Sequence, residues 1–408
     1  MTEGTAPRRA KLELLVRQPG EETFQVREVA SAPAFVQLRP QRVDPDVYEL
    51  AVVNSRVGQH RRYILKNRQN DRFLLLSDAE RFLWEQMDGN TSLQEMATAY
   101  VLKYGEFNFE ILPALIRKLQ HSQLLTMRPA SRLRRALARN RRHPLAAALE
   151  GGFTILERVV IASRDVQPLF QRLYRWGGFL LFTRVAAVAC LLLGAAGLVV
   201  GVRLWSNAEA VAAGLGAHPV MALVSVKLLF ILTLAAHQIV HGLACVHYGR
   251  RVREFGFTFL HGFVPTFYVD VTDIFMTSRR ARVVTAVSGA LVHLVLGSAW
   301  FLIAASSAPG FMQAFAATSG IVQWQAFALA LYPFCFIEMD GYHVLVDVLG
   351  TPTLKHDALA FVGALLRGHW PARLTHEEGV WIGYVALSGV SVAAFIAFNL
   401  WLVISAVA

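Results

Sequence analysis

Apolar residues crowd the second part of the chain. Before residue 177, short apolar stretches alternate with charged ones; after it, long apolar runs dominate. A membrane-spanning helix needs about 20 mainly apolar residues. Runs of that kind lie near Gly177–Leu204, Val220–Val246, Val283–Ser306, Gly320–Ile337 and Gly379–Val407. The expected fold is therefore mainly α, a polytopic membrane helix bundle of about five spans with a small N-terminal α+β domain. One apolar segment has a different period. Glu254–Leu260, EFGFTFL, alternates Phe255, Phe257 and Phe259, and period two predicts a strand. Between membrane helices, a strand edge must be buried in protein or line a cavity. Such an edge either takes up an extended substrate segment by strand addition, with Phe257 and Phe259 as substrate contacts, or simply closes the cavity.

The polar N-terminal part has its own pattern. Tyr63–Leu65 and Phe73–Leu76 are strand-like and flank the polar turn KNRQND. Ser77 and Glu80 form a capping-box pair that opens a helix through Met87, and Asp88-Gly89-Asn90 breaks it. Thr91 and Gln94 are expected to cap the next helix, with Leu93, Met96, Ala97 and Val101 on one face. A third helix is expected near Phe109–His121. Two strands and three helices suggest a small winged-helix domain over residues 61–128. Residues 1–60 have no assignment beyond a candidate hairpin in LELLVRQPGEETFQVREV. Residues 129–176 read as a linker. Seven arginines fall within Arg128–Arg142, interleaved with Leu133 and Leu137. That pattern fits either a basic amphipathic helix on an anionic membrane surface or a solvated linker helix.

Composition agrees with a membrane protein: 54% of the 408 residues are hydrophobic and 17% charged, with a net charge of +11. The opening MTEGTAPRRAKLELL lacks the apolar core of a signal peptide. The three cysteines, Cys190, Cys245 and Cys335, fall in apolar segments without paired spacing, so no disulfide framework or zinc knuckle is expected. Charge also orients the chain. The connections SNAEAVAAGLGAHP and SAPGFMQAFAATS contain no Lys or Arg. The other connections carry Arg250, Arg251, Arg253, Arg279, Arg280 and Arg282, then Lys355, Arg367 and Arg373. The positive-inside rule places those loops and the N-terminal part in the cytoplasm and the C-terminus on the far side.

This topology brings chemistry together. His237 and His241 lie in the last third of the second span, toward the cytoplasm. Asp340 follows the fourth span at the same end. Residues four apart share a helix face, so both imidazoles can address one ion. With Asp340 they make a set of two nitrogens and one oxygen, which leaves a fourth tetrahedral position open, as in catalytic zinc sites. The alternative is two helix-packing histidines. An Asp in an apolar environment is functional by default, and its matching depth favours the metal.

HQIVHG followed by EMDGYHVL resembles the site-2 protease family of intramembrane zinc metalloproteases, which carries H-E-x-x-H on one span and Asp-Gly two spans later. The stretch between them, with FYVDVTD, an Arg pair and a small-residue helix, resembles the branch called peptide zinc metalloproteases. The specific resemblance covers roughly Leu229 to Leu354. It implies a membrane zinc metalloprotease domain over residues 177–408, with His237, His241 and Asp340 as zinc ligands and position 238 as the catalytic carboxylate. Two departures stand out. The Asn and Pro usual upstream of Asp-Gly are not in place in LYPFCFIEMDG, where Pro333 is shifted and no Asn occurs. Position 238 holds Gln, which can hold a water by hydrogen bond but cannot take its proton. Gln238 is either the mark of a natural pseudoprotease acting as peptide receptor or sensor, or a replacement of Glu in a true protease.

Tyr63–Met127 resembles the PqqD-like domain, also called the precursor-peptide (RiPP) recognition element, which takes a leader peptide as an added strand. The resemblances together imply a bacterial inner-membrane protein whose partners are a peptide or membrane-protein substrate and the lipid bilayer. Winged helices also bind DNA, but beside a membrane protease no nucleic-acid partner is expected. Of the remaining polar groups, His293 is either a helix contact or a substrate contact near the scissile carbonyl. Asp270 and Asp273 are expected to cap loops. Lys227 and Arg184 are expected to snorkel or line a wet cavity, and His247 and His343 to be interfacial.

Overall fold

The computed structural model describes residues 13–16, 25–28, 38–58, 60–105, 110–126, 161–216, 218–260, 264–371 and 373–407. The basic stretch Arg128–Arg142 lies outside them. The chain forms two compact units, the first of residues 1–53 and 60–140, the second of 54–59 and 141–408. The protein is mainly helical, and five of its helices are long and apolar enough to cross a membrane.

In the first unit, β1 (Glu13–Val16) and β2 (Gln25–Glu28) pair antiparallel. A second pair joins β3 (Gln41–Arg42) to β7 (Leu125–Thr126). The main sheet has the order β4 (Tyr48–Asn54), β5 (Arg61–Asn67), β6 (Phe73–Ser77). Residues 63–67 of β5 are all buried, as a central strand covered on both faces requires. Three helices follow or flank the sheet: α1 (Asp78–Glu85), α2 (Leu93–Tyr104) and α3 (Ile111–His121). Their core includes Leu65, Leu76, Leu83, Trp84, Met96, Leu115 and Leu119. Leu38, Val43, Tyr48 and Leu50 pack on the same core, so this unit extends N-terminally past the expected boundary at residue 61.

Both helix starts are capping boxes. Ser77 and Glu80 open α1 as expected. The cap of α2 is Ser92 with Glu95, not Thr91 with Gln94. The reason is local: Asp88 accepts from the backbone of Asn90 and Thr91, at 2.8 Å each, so Thr91 stays in the turn and the helix begins one residue later. Val101 is 41% exposed, whereas Tyr100 is buried in its place. The turn after β5 is held by Asn67, whose Nδ2 donates to the carbonyls of Ser122 and Gln123 at the end of α3, both at 3.0 Å.

The second unit contains the spans. They are α5 (Arg184–Trp205), α7 (Pro219–His247), α8 (Arg279–Ser306), α9 (Phe311–Leu331) and α12 (His376–Val407). The short helices are α4 (Gln167–Arg175), α6 (Ala208–Ala213), α10 (Asp340–Leu349) and α11 (Leu354–Leu366). Two expected boundaries shift. The first span starts at Arg184 with Thr183 as N-cap, after a 3-10 turn over Gly178–Phe182. The fourth starts at Phe311 and ends at Leu331, not Ile337. Pro333 accounts for the end, because the residue before proline is pushed out of the helical region, and Tyr332 is extended. The link to Asp340 is therefore non-helical, with Phe336 at φ +58.

The alternating phenylalanines form a strand as expected. β9 (Glu254–Leu260) pairs antiparallel with β10 (Val264–Asp270), and β8 (Ile161–Ser163) pairs with β9 on its other side. This narrows the idea of β9 as an open edge: β9 is the central strand, with β8 paired to Phe255–Phe257 and β10 and β8 on the outside. It also moves residues 161–176 out of any linker, since β8 joins this sheet and Phe170 of α4 packs with Leu243, Cys245 and Val252. Tyr268 donates to Glu254 across the hairpin, and burial together with that carboxylate pushes its pKa up to about 12. Asp270 caps the turn as expected, accepting from the Thr272 amide at 3.0 Å. Asp273 accepts from the Arg251 amide at 3.1 Å.

Candidate metal centre

The three expected ligands meet. His237 and His241 sit one turn apart on α7, and Asp340 is the first residue of α10. His237 Nε2 lies 3.0 Å from His241 Nε2. Each Nε2 lies 3.3 Å from one oxygen of Asp340, Oδ2 for His237 and Oδ1 for His241. Both imidazoles are buried, at 7% and 6% exposure. Among the described residues, these are the ones whose donor atoms cluster closely enough to hold a metal ion.

The hydrogen bonds around the cluster bear on whether it could hold a cation. His241 Nδ1 lies 2.7 Å from the carbonyl of Thr285, so it must carry the proton and donate. That leaves its Nε2 with a bare lone pair, facing a carboxylate oxygen and a second imidazole. A single proton can bridge only two of these groups at a time, whereas one cation addresses all three. The dimensions agree. Tetrahedral zinc with ligands at 2.0–2.2 Å has donor–donor edges of about 3.3 Å. The α8 backbone also leaves room. A Cβ on Gly289 would fall 2.3 Å from His241 Nε2 and 2.8 Å from His237 Nε2, so only glycine fits beside the triad. His237 Nδ1 has no hydrogen-bond partner among the described residues.

Two features place Asp340. Gly341 brings the start of α10 against the end of α9, where a Cβ would fall 2.1 Å from the Leu331 carbonyl. Seven residues on, Asp347 accepts from Arg282 Nε of α8 at 2.5 Å, and Arg282 Nη1 donates to the Thr277 carbonyl at 3.0 Å. Both partners are buried, so removing one strands the other charge. Sequence reasoning misses this pair, although Asp347 lies two turns from Asp340 on the same face of an apolar helix, which is a signal in itself.

His293 is drawn to the same place. It lies on α8 one turn beyond Gly289, is 2% exposed, and its ring centroid is 5.1 Å from that of His237. A hydrogen-bond chain sets its tautomer. Thr233 Oγ1 donates to the Leu229 carbonyl at 2.9 Å, so it accepts from Gln323 Nε2 at 2.9 Å. The other end of the Gln323 amide is then an oxygen, and His293 Nδ1 donates to it at 2.7 Å. His293 Nε2 is thereby a lone-pair acceptor. Thr233 and Gln323 also escape sequence reasoning, although a Gln inside an apolar span is unusual enough to mark a site.

The other expected residues sit apart from the triad chemistry. Gln238, next to His237, is half-buried, and its side chain makes no hydrogen bond with any described residue. Phe257 packs edge-on against Phe267 across the hairpin, with centroids 5.3 Å apart. The side chain of Phe259 lies outside the described residues. His247 bonds Tyr174 Oη through Nδ1 at 2.8 Å, away from the ligand set. Comparison with family models, with curated proteins and with solved structures finds no match to this chain.

Proposed function

We propose that this chain is an intramembrane zinc metalloprotease of the site-2 type in which Gln238 occupies the place of the catalytic carboxylate. One observation carries the reading. Two imidazole nitrogens 3.0 Å apart, each 3.3 Å from a carboxylate oxygen of Asp340, supply the donor set of a three-ligand zinc site beside a glycine that places no side chain against them. His237, His241 and Asp340 would hold the ion. Zinc, when bound, supplies Lewis acidity at neutral pH.

The remaining work falls to the chain's own residues. The outer strand β10 packs against α7, which carries both histidines, so an extended substrate segment added along β10 would run beside the site. His293 Nε2 offers an acceptor to a water or substrate N–H next to His237. Gln238 can orient a water but cannot accept its proton, and loss of that step removes roughly 10²–10⁴ in rate. Gln238 therefore also favours a second reading, a non-catalytic peptide receptor built on the same site. In both readings the Lys/Arg-rich connections favour a cytoplasmic N-terminal unit, and the family resemblance favours a bacterial inner membrane.

X-ray absorption at the zinc edge tests the site directly. The zinc-loaded protein should show nitrogen and oxygen neighbours at about 2.0–2.2 Å, with imidazole outer-shell scattering. A sulfur neighbour at about 2.3 Å would place the ion on a cysteine and sink the assignment.

The N-terminal unit supports the peptide half of the proposal. β6 is an edge strand of its sheet, next to α1, and an extended peptide can join it by main-chain pairing. A fragment spanning residues 38–128 should bind a candidate precursor peptide, with slowed amide exchange concentrated in Phe73–Ser77 and the helix that follows. Tight binding of duplex DNA with no affinity for any such peptide would overturn this assignment.

A further inference from the structure

One apolar groove of the second unit plays no part in the metal site. It has a volume of about 850 Å³ and runs between α5, α7 and α8. Its walls are Val283, Val287, Leu291 and Val295 of α8, with Cys190 of α5 and Val240 of α7. The wall from Val283 to Leu296 rises about 20 Å at 1.5 Å per residue, more than the roughly 15 Å depth of one leaflet's hydrocarbon. Arg184 and Arg280 line one end.

Those two arginines are placed unfavourably for the protein by itself. Arg184 is the first residue of α5 and Arg280 the second of α8. Each sits at the positive end of a helix dipole, where a cation is destabilising. Both are exposed, and neither side chain has an ion pair or hydrogen bond with any described residue. Two like charges and two positive helix ends thus converge on one mouth of an otherwise apolar groove. An anion there offsets all four, and an apolar chain behind it fills the rest.

We propose that this groove is a binding site for one anionic phospholipid, with its phosphate between Arg184 and Arg280 and an acyl chain along the Val283–Leu296 wall. Charge favours a lipid over a substrate helix, because the mouth presents two guanidinium groups to an anionic headgroup while the wall behind it is apolar. Position agrees, because Ala236, Val240 and Ser288 line the groove while their neighbours His237, His241 and Gly289 face the metal site. The lipid would therefore brace the same helices from the far side without entering the triad.

Native mass spectrometry of the full chain, released from bilayers of mixed phosphatidylcholine and phosphatidylglycerol, tests this. The unaltered protein should keep one phosphatidylglycerol per chain. The double variant Arg184→Gln/Arg280→Gln should bind it about 25-fold more weakly, about fivefold per arginine. Arg184→Lys/Arg280→Lys should stay close to the unaltered protein, since charge is kept. Val287→Trp should displace the lipid with both arginines intact, which keeps the test decisive if the charge variant misfolds. Equal retention in the glutamine and tryptophan variants would overturn the proposal, as would equal retention of phosphatidylcholine. Displacement by inorganic phosphate at matched concentration would show a small-anion site instead. A photo-crosslinker at position 287 that captured a transmembrane peptide rather than lipid would likewise overturn it.

Discussion

The double variant His237→Ala/His241→Ala is expected to lose its zinc entirely, from about one ion per chain to under about a tenth of one. The two imidazoles supply two of the three donor atoms, and Asp340 alone is an ordinary carboxylate. No other cluster of donors among the described residues can take their place. The fold should survive, because His237 and His241 are buried side chains on a 29-residue apolar helix whose packing does not depend on them alone. Circular dichroism and a monodisperse elution profile check that. Gly289→Ala provides a steric control with every ligand retained. Its Cβ would fall 2.3 Å from His241 Nε2, so zinc content should drop here too. Elemental analysis of matched preparations reads both. Equal zinc in the unaltered protein and the double variant would mean that the ion, if any, sits elsewhere.

Gln238→Glu is expected to raise proteolysis by roughly 10²–10⁴. Gln and Glu fill nearly the same volume and have similar helix propensity, so the helix and ligand geometry should not change. The side chain of Gln238 is half-buried and has no hydrogen bond with a described residue, so the exchange breaks no contact. A carboxylate beside a divalent cation also costs far less than one in bare hydrocarbon, because the cation offsets its desolvation. The measurement is cleavage of candidate membrane or precursor peptides, co-expressed with the Gln238 chain and with the variant. Cleavage by the variant alone supports a protease whose base is replaced. Equal cleavage by both puts the proton acceptor elsewhere, and His293 Nε2 is then the group to test. No cleavage by either, with a substrate that the N-terminal unit binds, favours the receptor reading.

Several of these groups are legible in the amino-acid sequence. His237 and His241 stand out as a pair at helical spacing, and charge bias leads one to expect Asp340 near them. The strand over Glu254–Leu260 follows from three phenylalanines at period two. The Ser77 cap follows from its Glu80 partner. Competition between neighbours is harder to see. Asp88 draws Thr91 into a turn and leaves Ser92 to start the helix. Pro333 ends α9 early, although the apolar run continues past it.

Sequence by itself determined the five apolar helices long enough to span a membrane and the identities of three converging side chains, because hydropathy and helical period are local properties carried by consecutive residues. Tertiary structure alone decided what surrounds them. Local periodicity gives no account of Thr285 lending a carbonyl to His241, or of a chain from Thr233 through Gln323 leaving a lone pair on His293 Nε2. Nor does it show that Gly289 faces the triad, that Arg282 holds Asp347, or that β8 closes the edge of β9. Each of these joins residues 30 to 96 positions apart or fixes which way a backbone faces, and such pairings are set when helices pack and sheets register.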